Sequence, residues 1–246
     1  MGELIAVLSG KGGTGKTSVC AGICTALADL NDRILCIDCD VGLRTLDISL
    51  GMSDCGALSF LDVSEGGYPL DQASVHPDYP SLRFLTAPVN RQADSIDMDQ
   101  FSELLRQARQ DFDYIFLDAP AGIDAGFHLA ARFADRVLLV TGADPAAVRD
   151  ATRCSEVLEL MGKNNVRLIV NRINRKMVRS MDLTIDDIMD TAGLPLIGVV
   201  PEDPDITLAA AFGKSLLTYA PRCPAVKACR CIAKRIQGKP VPISIR

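Results

Sequence analysis

The chain contains no tryptophan, and aromatic residues make up only 5% of its 246 positions. Proteins that hold single-stranded nucleic acid do so largely by stacking bases on aromatic rings, so that class is disfavoured from the start. Positive charge is not in excess either: 26 Lys and Arg stand against 31 Asp and Glu, a net charge of −5. This argues against a protein-wide basic footprint for DNA and leaves room only for a local patch. No apolar stretch reaches the roughly 18 residues that a membrane-crossing helix requires. No charged-then-apolar leader opens the sequence, so nothing marks it for export, and the expected location is the cytoplasm. In that setting the nine cysteines read as reduced thiols, not as a disulfide framework. Cys36 and Cys39 have the C-x-x-C spacing but lie in or beside the apolar run Ile34-Leu35-Cys36-Ile37. That context favours two packed thiols over a redox or metal pair. Cys229 and Cys231 lack the further ligands a metal site would need. Internal repeats and low-complexity tracts are also missing.

What the chain does have is 48% hydrophobic residues, arranged in short apolar runs that alternate with amphipathic stretches. The runs predict strands over Ile5–Ser9, Ile34–Asp38, Leu82–Thr86, Tyr114–Asp118, Arg136–Thr141, Val166–Val170 and Leu196–Val200. The stretches between predict helices over Lys16–Leu30, Met98–Arg109, Gly126–Phe133, Ala146–Met161, Ile185–Thr191, Ile206–Phe212 and Ala225–Gln237. The expected fold is α/β: one domain with a mostly parallel, twisted sheet of about seven or eight strands and helices on both faces. Asp62 to Ser81, rich in Gly and Pro, reads as a long surface excursion.

Residues Gly10 to Thr17 read Gly-Lys-Gly-Gly-Thr-Gly-Lys-Thr. They fit the phosphate-loop pattern G-x-x-x-x-G-K-[ST], in the required setting of a strand before and a helix after. Gly10, Gly12, Gly13 and Gly15 let the backbone curl around an anion. Thr14 sits within the loop, whose N–H groups would cradle a β-phosphate at a helix N-terminus. Lys16 would reach the β- and γ-phosphates, Thr17 would give its hydroxyl to Mg²⁺, and Ser18 would bond the α-phosphate. A second lysine, Lys11, occupies a position the ordinary pattern leaves free.

Two acidic segments complete the expected site. The run Tyr114–Leu117 ends in Asp118, the form of a strand that holds Mg²⁺ beside a phosphate loop. The alternative for Asp118 is a helix cap. Gly122, shortly after, would offer its N–H to the γ-phosphate. Asp38 and Asp40 follow another apolar run and face the same way on extended chain. Asp38 is assigned to the Mg²⁺ side and Asp40 to orienting the attacking water. The stretch from Asp40 to Asp47 suits a mobile switch.

The segments Lys11–Thr17, Cys36–Asp47 and Leu117–Asp124, with Val170-Asn171-Arg172 and Val200-Pro201-Glu202-Asp203, resemble the MinD/ParA family of deviant Walker A ATPases, most closely its MinD branch. The resemblance covers nearly the whole chain in order. It implies a P-loop NTPase fold, a slow, partner-stimulated ATP hydrolase, ATP and Mg²⁺ as ligands, and a face-to-face homodimer formed with ATP. In that dimer Lys11 of one subunit would cross to the phosphates of the other. It further implies that Asn171, with Arg172 beside it, would meet the adenine, and that Pro201, Glu202 and Asp203 would pack near the base. Expected partners are division-inhibitor and activator proteins. The alternative within the family is a ParA-like positioning ATPase that binds DNA without sequence preference, for which Arg172, Arg175, Lys176 and Arg179 would be the basic run.

Residues 222–246 carry seven Lys or Arg and no acid. Val226, Cys229, Ile232, Ala233 and Ile236 recur there at helical spacing. This favours a last domain helix with its basic side in water. The alternative is a helix on the inner face of the cell membrane. The short amphipathic targeting tail of the MinD branch is not expected here.

Overall fold

The computed structural model describes residues 1–41, 44–88, 96–174 and 183–243. The apolar runs become strands because alternate side chains enter two different apolar layers. In β1 (Glu3–Leu8), Leu4, Ala6 and Leu8 enter one layer while Ile5 and Val7 enter the other. The strands that follow are β2 (Ile34–Asp38), β3 (Ser74–Val75), β4 (Leu82–Leu85), β5 (Tyr114–Asp118), β6 (Arg136–Thr141), β7 (Val166–Ile173) and β8 (Leu196–Pro201). They form one eight-stranded sheet in the order β3-β4-β2-β5-β1-β6-β7-β8. Every pairing is parallel except that of the edge strand β3 with β4.

The helices are α1 (Lys16–Ala28), α2 (Leu46–Leu50), α3 (Phe60–Ser64), α4 (Met98–Asp111), α5 (Ala125–Phe133), α6 (Pro145–Leu160), α7 (Ile185–Ala192), α8 (Pro204–Ala211), α9 (Leu216–Tyr219) and α10 (Pro224–Ile236). Helices α3 to α7 bury their apolar residues in the first layer; α1, α2, α8, α9 and α10 bury theirs in the second. Strands β2 to β5 lie to one side of β1 and β6 to β8 to the other. The chain therefore reverses its direction of progress at β1, and the crevice at the carboxyl ends of such strands is where α/β sheets bind ligands.

Three expectations need correction. Residues 62–81 are not a bare surface excursion. They include the end of α3, a 3₁₀ turn at Leu70–Gln72 and strand β3. Leu70, Ala73 and His76 are buried there, because His76 Nε2 bonds the Leu50 carbonyl at 2.8 Å and the two apolar residues join the first layer. The stretch expected as a mobile switch, Asp40 to Asp47, ends in the first residues of α2, where Leu46 is buried; Gly42 and Leu43 lie outside the described residues. Finally, β7 runs three residues beyond its expected end, to Ile173.

The basic C-terminal segment behaves as the last domain helix. Val226, Cys229, Ile232, Ala233 and Ile236 of α10 are buried in the second layer. Arg235 donates to the carbonyls of Ile197, Val241 and Pro242, tying the irregular chain after α10 to β8. No helix among the described residues is long and apolar enough to cross a membrane. Cys36 in β2 and Cys39 just after its end are packed thiols, and burial pushes the Cys39 thiol well up from its ordinary value.

Candidate nucleotide-binding site

The loop between β1 and α1 curls back on itself at Gly13 (φ 80°) and Gly15 (φ 81°), conformations that side chains other than glycine adopt at a cost. A Cβ on Gly12 or Gly13 would meet nothing within 4 Å, so this side of the loop is open. Gly10 is the opposite case. A Cβ there would lie 2.8 Å from the Asp150 carbonyl oxygen, so its bareness lets the loop sit against α6. Helix α1 starts at Lys16 with no side-chain cap and no acid in its first turn. Its free N–H groups and positive dipole end are left for an anion.

Lys16 is 6% exposed, and its Nζ lies 2.7 Å from Asp118 Oδ1 and 3.2 Å from Thr17 Oγ1. Burial alone would lower the lysine pKa, but the Asp118 charge and hydrogen bond outweigh it, and the net shift is upward. Asp118 is completely buried at the end of β5, and its Oδ2 has no partner. Asp38 pairs with it in register on β2. Both Asp38 oxygens are engaged: Oδ1 accepts the Asp40 N–H at 2.9 Å, and Oδ2 accepts those of Thr45 and Leu46 at 3.2 Å. Burial and then the Asp118 charge push the Asp38 carboxyl up to about 7, against the pull of the amides. The Asp38 side chain thus holds the turn into α2. Asp40 is half-buried, and burial raises its carboxyl pKa while Lys16 opposes the rise.

Two cavities adjoin this loop. One, of about 360 Å³, is lined by Lys11, Gly12, Gly13, Thr14 and Asp144, among others. The second, of about 530 Å³, is lined by Gly15, Ser18, Asn171, Asp203, Pro204 and Ile206, among others. Arg172 and Glu202 border both. Asn171 is 2% exposed; its Nδ2 donates to the Thr14 carbonyl at 2.7 Å, and its Oδ1 has no partner. Arg172 Nη1 donates to the Gly13 carbonyl at 2.9 Å.

Some expected residues stand elsewhere or are already engaged. The Gly122 N–H donates to the Ser9 carbonyl at 2.9 Å, so a γ-phosphate would have to win it from the backbone. Pro201 does not line the second cavity. As the last residue of the edge strand it faces a separate depression with Val199, Pro224 and Cys231. Asp203 does line it, but its oxygens accept the N–H groups of Asp205 and Ala225, capping α8 and meeting the start of α10. Asp203, Asp205 and Cys223 cluster at metal-ligand distances, yet Cys223 also accepts a helix N–H, from Val226. Arg175, Lys176 and Arg179 lie outside the described residues.

Sequence reasoning missed Asp144. Its Oδ1 lies 3.3 Å from Lys11 Nζ and also accepts the Ala147 N–H. The Asp-Pro pair at 144 and 145 signals a helix start, but nothing local predicts the lysine.

Magnesium and a nucleotide fit these residues. Thr17 and Asp118 would hold the ion, and the orphaned Asp118 oxygen is an acceptor waiting for a donor such as a metal-bound water. Bound there, the ion would neutralise charge on the β- and γ-oxygens. A glycine cradle at the first strand, a buried Lys–Asp pair beneath it and a second lysine at its rim define a P-loop nucleotide-binding protein of the signature-lysine kind. The chain belongs to the family described as the CobQ/CobB/MinD/ParA nucleotide binding domain, whose pattern matches residues 5–217. It is 37% identical over 244 residues to the septum site-determining protein MinD of Synechocystis sp., covering 98% of this chain and 92% of that one. Its structure is similar to that of the MinC:MinD cell division protein complex of Aquifex aeolicus, with a TM-score of 0.90, 36% identity and 98% of each chain covered. It is also similar to MinD complexed with Mg-ADP from Pyrococcus horikoshii, with a TM-score of 0.80, 26% identity and 96% of each chain covered.

Proposed function

We propose that the chain is a MinD-like ATPase switch, which pairs with a second copy of itself when it holds Mg-ATP and separates after hydrolysis, and which thereby positions septum machinery. The observation that carries the nucleotide reading is a set of buried polar atoms without partners around the phosphate loop: Thr14 Oγ1 at the first cavity, Asn171 Oδ1 at the second and Asp118 Oδ2 beside Lys16. Groups of this kind cost about 1–3 kcal/mol each when left bare, and a bound ligand satisfies them. In the reaction, water attacks the γ-phosphorus as the bond to the β-phosphate oxygen breaks, giving ADP and phosphate. Asp40 orients the water. Lys16 balances charge on the transferring group.

Lys11 carries the pairing. It stands at the rim of the first cavity, 45% exposed, its ammonium held among the described residues by Asp144, itself 41% exposed. From there it can reach outward to phosphates held by a second copy, adding cation where negative charge concentrates. The Aquifex aeolicus complex supports a division-inhibitor protein of the MinC type as a partner. In this reading the protein works in the cytoplasm, and the inner face of the cell membrane is the surface that the vesicle measurement below probes.

The test is light scattering and phosphate release with Mg-ATP. Lys11→Ala should keep ATP binding within about threefold yet lose the ATP-dependent dimer and most of the turnover, on the order of 10²-fold. An unchanged dimer in the variant would rule out pairing through Lys11. Anionic vesicles should stimulate turnover of the wild type more than DNA does; salt-sensitive stimulation by DNA alone would favour a ParA-like role.

A further inference from the structure

Strand β7 does not end regularly. Its register to β8 slips between Val170 and Ile173, and Arg172 has φ 56°. A long side chain occupies that left-handed region only where its surroundings hold it. On regular extended chain, neighbouring residues point to opposite faces. Here Asn171 and Arg172 converge instead on one object, the phosphate loop: Asn171 Nδ2 takes the Thr14 carbonyl at 2.7 Å, and Arg172 Nη1 takes the Gly13 carbonyl at 2.9 Å. The approach is tight, since a Cβ on Gly15 would run into Asn171 Nδ2.

These two carbonyls belong to consecutive peptide units. A peptide unit is planar and, among the described residues, trans, so its N–H points opposite to its C=O. The N–H opposite the Gly13 carbonyl is that of Thr14, and the N–H opposite the Thr14 carbonyl is that of Gly15. Neither donates a hydrogen bond among the described residues. Drawing both carbonyls towards β7 turns both amides the other way, away from β7.

We infer that Asn171 and Arg172 are positioning residues for the phosphate cradle: they fix two successive peptide planes so that the Thr14 and Gly15 amides face the triphosphate before it binds. This rests on the reading of the loop as a triphosphate site and gives β7 a second duty besides meeting the base. Donors fixed in advance need no reorganisation when charge arrives, which is what makes them effective. The two duties meet in one side chain, because the Asn171 amide holds the loop with Nδ2 and presents its unpartnered Oδ1 beside the second cavity.

A probe without a base separates the duties. Mg-tripolyphosphate and Mg-ATP are titrated by calorimetry into the wild type, Asn171→Leu and Arg172→Ala, with thermal melts of each ligand-free protein as the fold control. Leucine has the branching of asparagine, is larger, and carries no donor, so the melts also register any crowding at Gly15. Both variants should bind tripolyphosphate about tenfold more weakly, the scale of one hydrogen bond that serves a charged ligand. Arg172→Ala also removes a positive charge, so its titrations are repeated at high salt, where the loss should persist. Weaker ATP binding with tripolyphosphate binding unchanged would overturn the inference, leaving only a base contact. So would a loss in Arg172→Ala that disappears at high salt. If Asn171→Leu does not fold, the exposed Arg172 variant decides alone. A wild type that binds neither probe sinks the nucleotide reading itself, a separate outcome from either of these.

Discussion

The two halves of the crevice are built on different principles. The phosphate half is built on one contiguous segment: Gly10 to Ser18 folds over a lysine, Lys16, that is 6% exposed, paired beneath with Asp118, which is wholly buried. The other half, which the proposed function gives to the base, is assembled from distant parts. It joins the irregular end of β7 to the first turn of α8, and its charged pair, Arg172 with Glu202, is exposed and separated by 3.7 Å. The contrast follows from what each half must hold. Triphosphate charge is stabilised most where water is excluded and the donors are already in place. A base needs shape and one or two directed hydrogen bonds, which residues serving other structural ends can provide. Asn171 and Asp203 are of this kind: one braces the loop and the other caps helices.

If that contrast holds, damage to the halves should differ in kind. The largest effect is expected from Lys16→Ala. It removes the cation that meets the phosphates and strands Asp118 without its partner. ATP turnover should fall by about 10²- to 10³-fold, and stability by about 3 kcal/mol, as when one member of a buried ion pair is lost. Stopped assays of phosphate release and urea melts measure the two. Turnover within tenfold of wild type would mean the phosphate half is not the seat of chemistry.

On the base half, Asp203→Ala should act chiefly on folding. Two N–H groups lose their acceptor, that of Asp205 in the first turn of α8 and that of Ala225 in α10. Each loss costs about 1 kcal/mol, the scale of a helix cap. At saturating Mg-ATP the turnover should stay within about threefold of wild type. A collapse of turnover as deep as that in Lys16→Ala would erase the distinction between scaffold and chemistry.

A smaller effect sharpens the phosphate half itself. Lys11 is held in its own subunit by Asp144, which also caps α6 through the Ala147 N–H. Asp144→Ser keeps the cap and removes the charge. The pair is 45% and 41% exposed, so releasing it is worth less than about 1 kcal/mol. The ATP concentration needed for half-maximal dimer should therefore fall by no more than about fivefold. An increase instead would show that Asp144 serves Lys11 in the dimer and does not compete with it.

The same contrast explains what could be read from sequence. The phosphate half was legible because a glycine pattern, a lysine and a strand ending in aspartate are local signals, and the register between β2 and β5 then brings Asp38 to Asp118 without further information. The central strands were legible because two buried faces leave continuous apolar runs. Where partners are far apart in the chain, local signals failed. Nothing near Gly122 reveals that its N–H is taken by Ser9, and nothing near Pro201 reveals that an edge strand turns it away from the second cavity. The buried stretch around Leu70 and His76 was hidden by its glycines and prolines, since turn chemistry predicts exposure and says nothing of a histidine bonded to α2.

That histidine offers the smallest test, and it bears on whether the halves are mechanically joined. Helix α2 starts at the turn held by Asp38 and ends at Gly51, where a Cβ would collide with the Lys214–Ser215 backbone behind α8. His76 pins its last turn: Nε2–H donates to the Leu50 carbonyl at 2.8 Å while Nδ1 accepts the Asp78 N–H at 3.1 Å. This arrangement needs the neutral ring, because protonated Nδ1 would face another N–H. Burial lowers the His76 pKa, with the Leu50 bond and Asp78 opposing. An unfolded histidine titrates near about 6.5, so below that pH the unfolded chain binds more protons at this site than the folded chain does. The stabilisation is present in full above about 6.5 and is lost as pH falls towards the lowered value. His76→Gln keeps a donor for Leu50 and cannot titrate. Between about pH 7.5 and about 5.5, the urea midpoint of the wild type should drop further than that of the variant. Equal drops would free His76 of the effect and place the acid sensitivity on other groups.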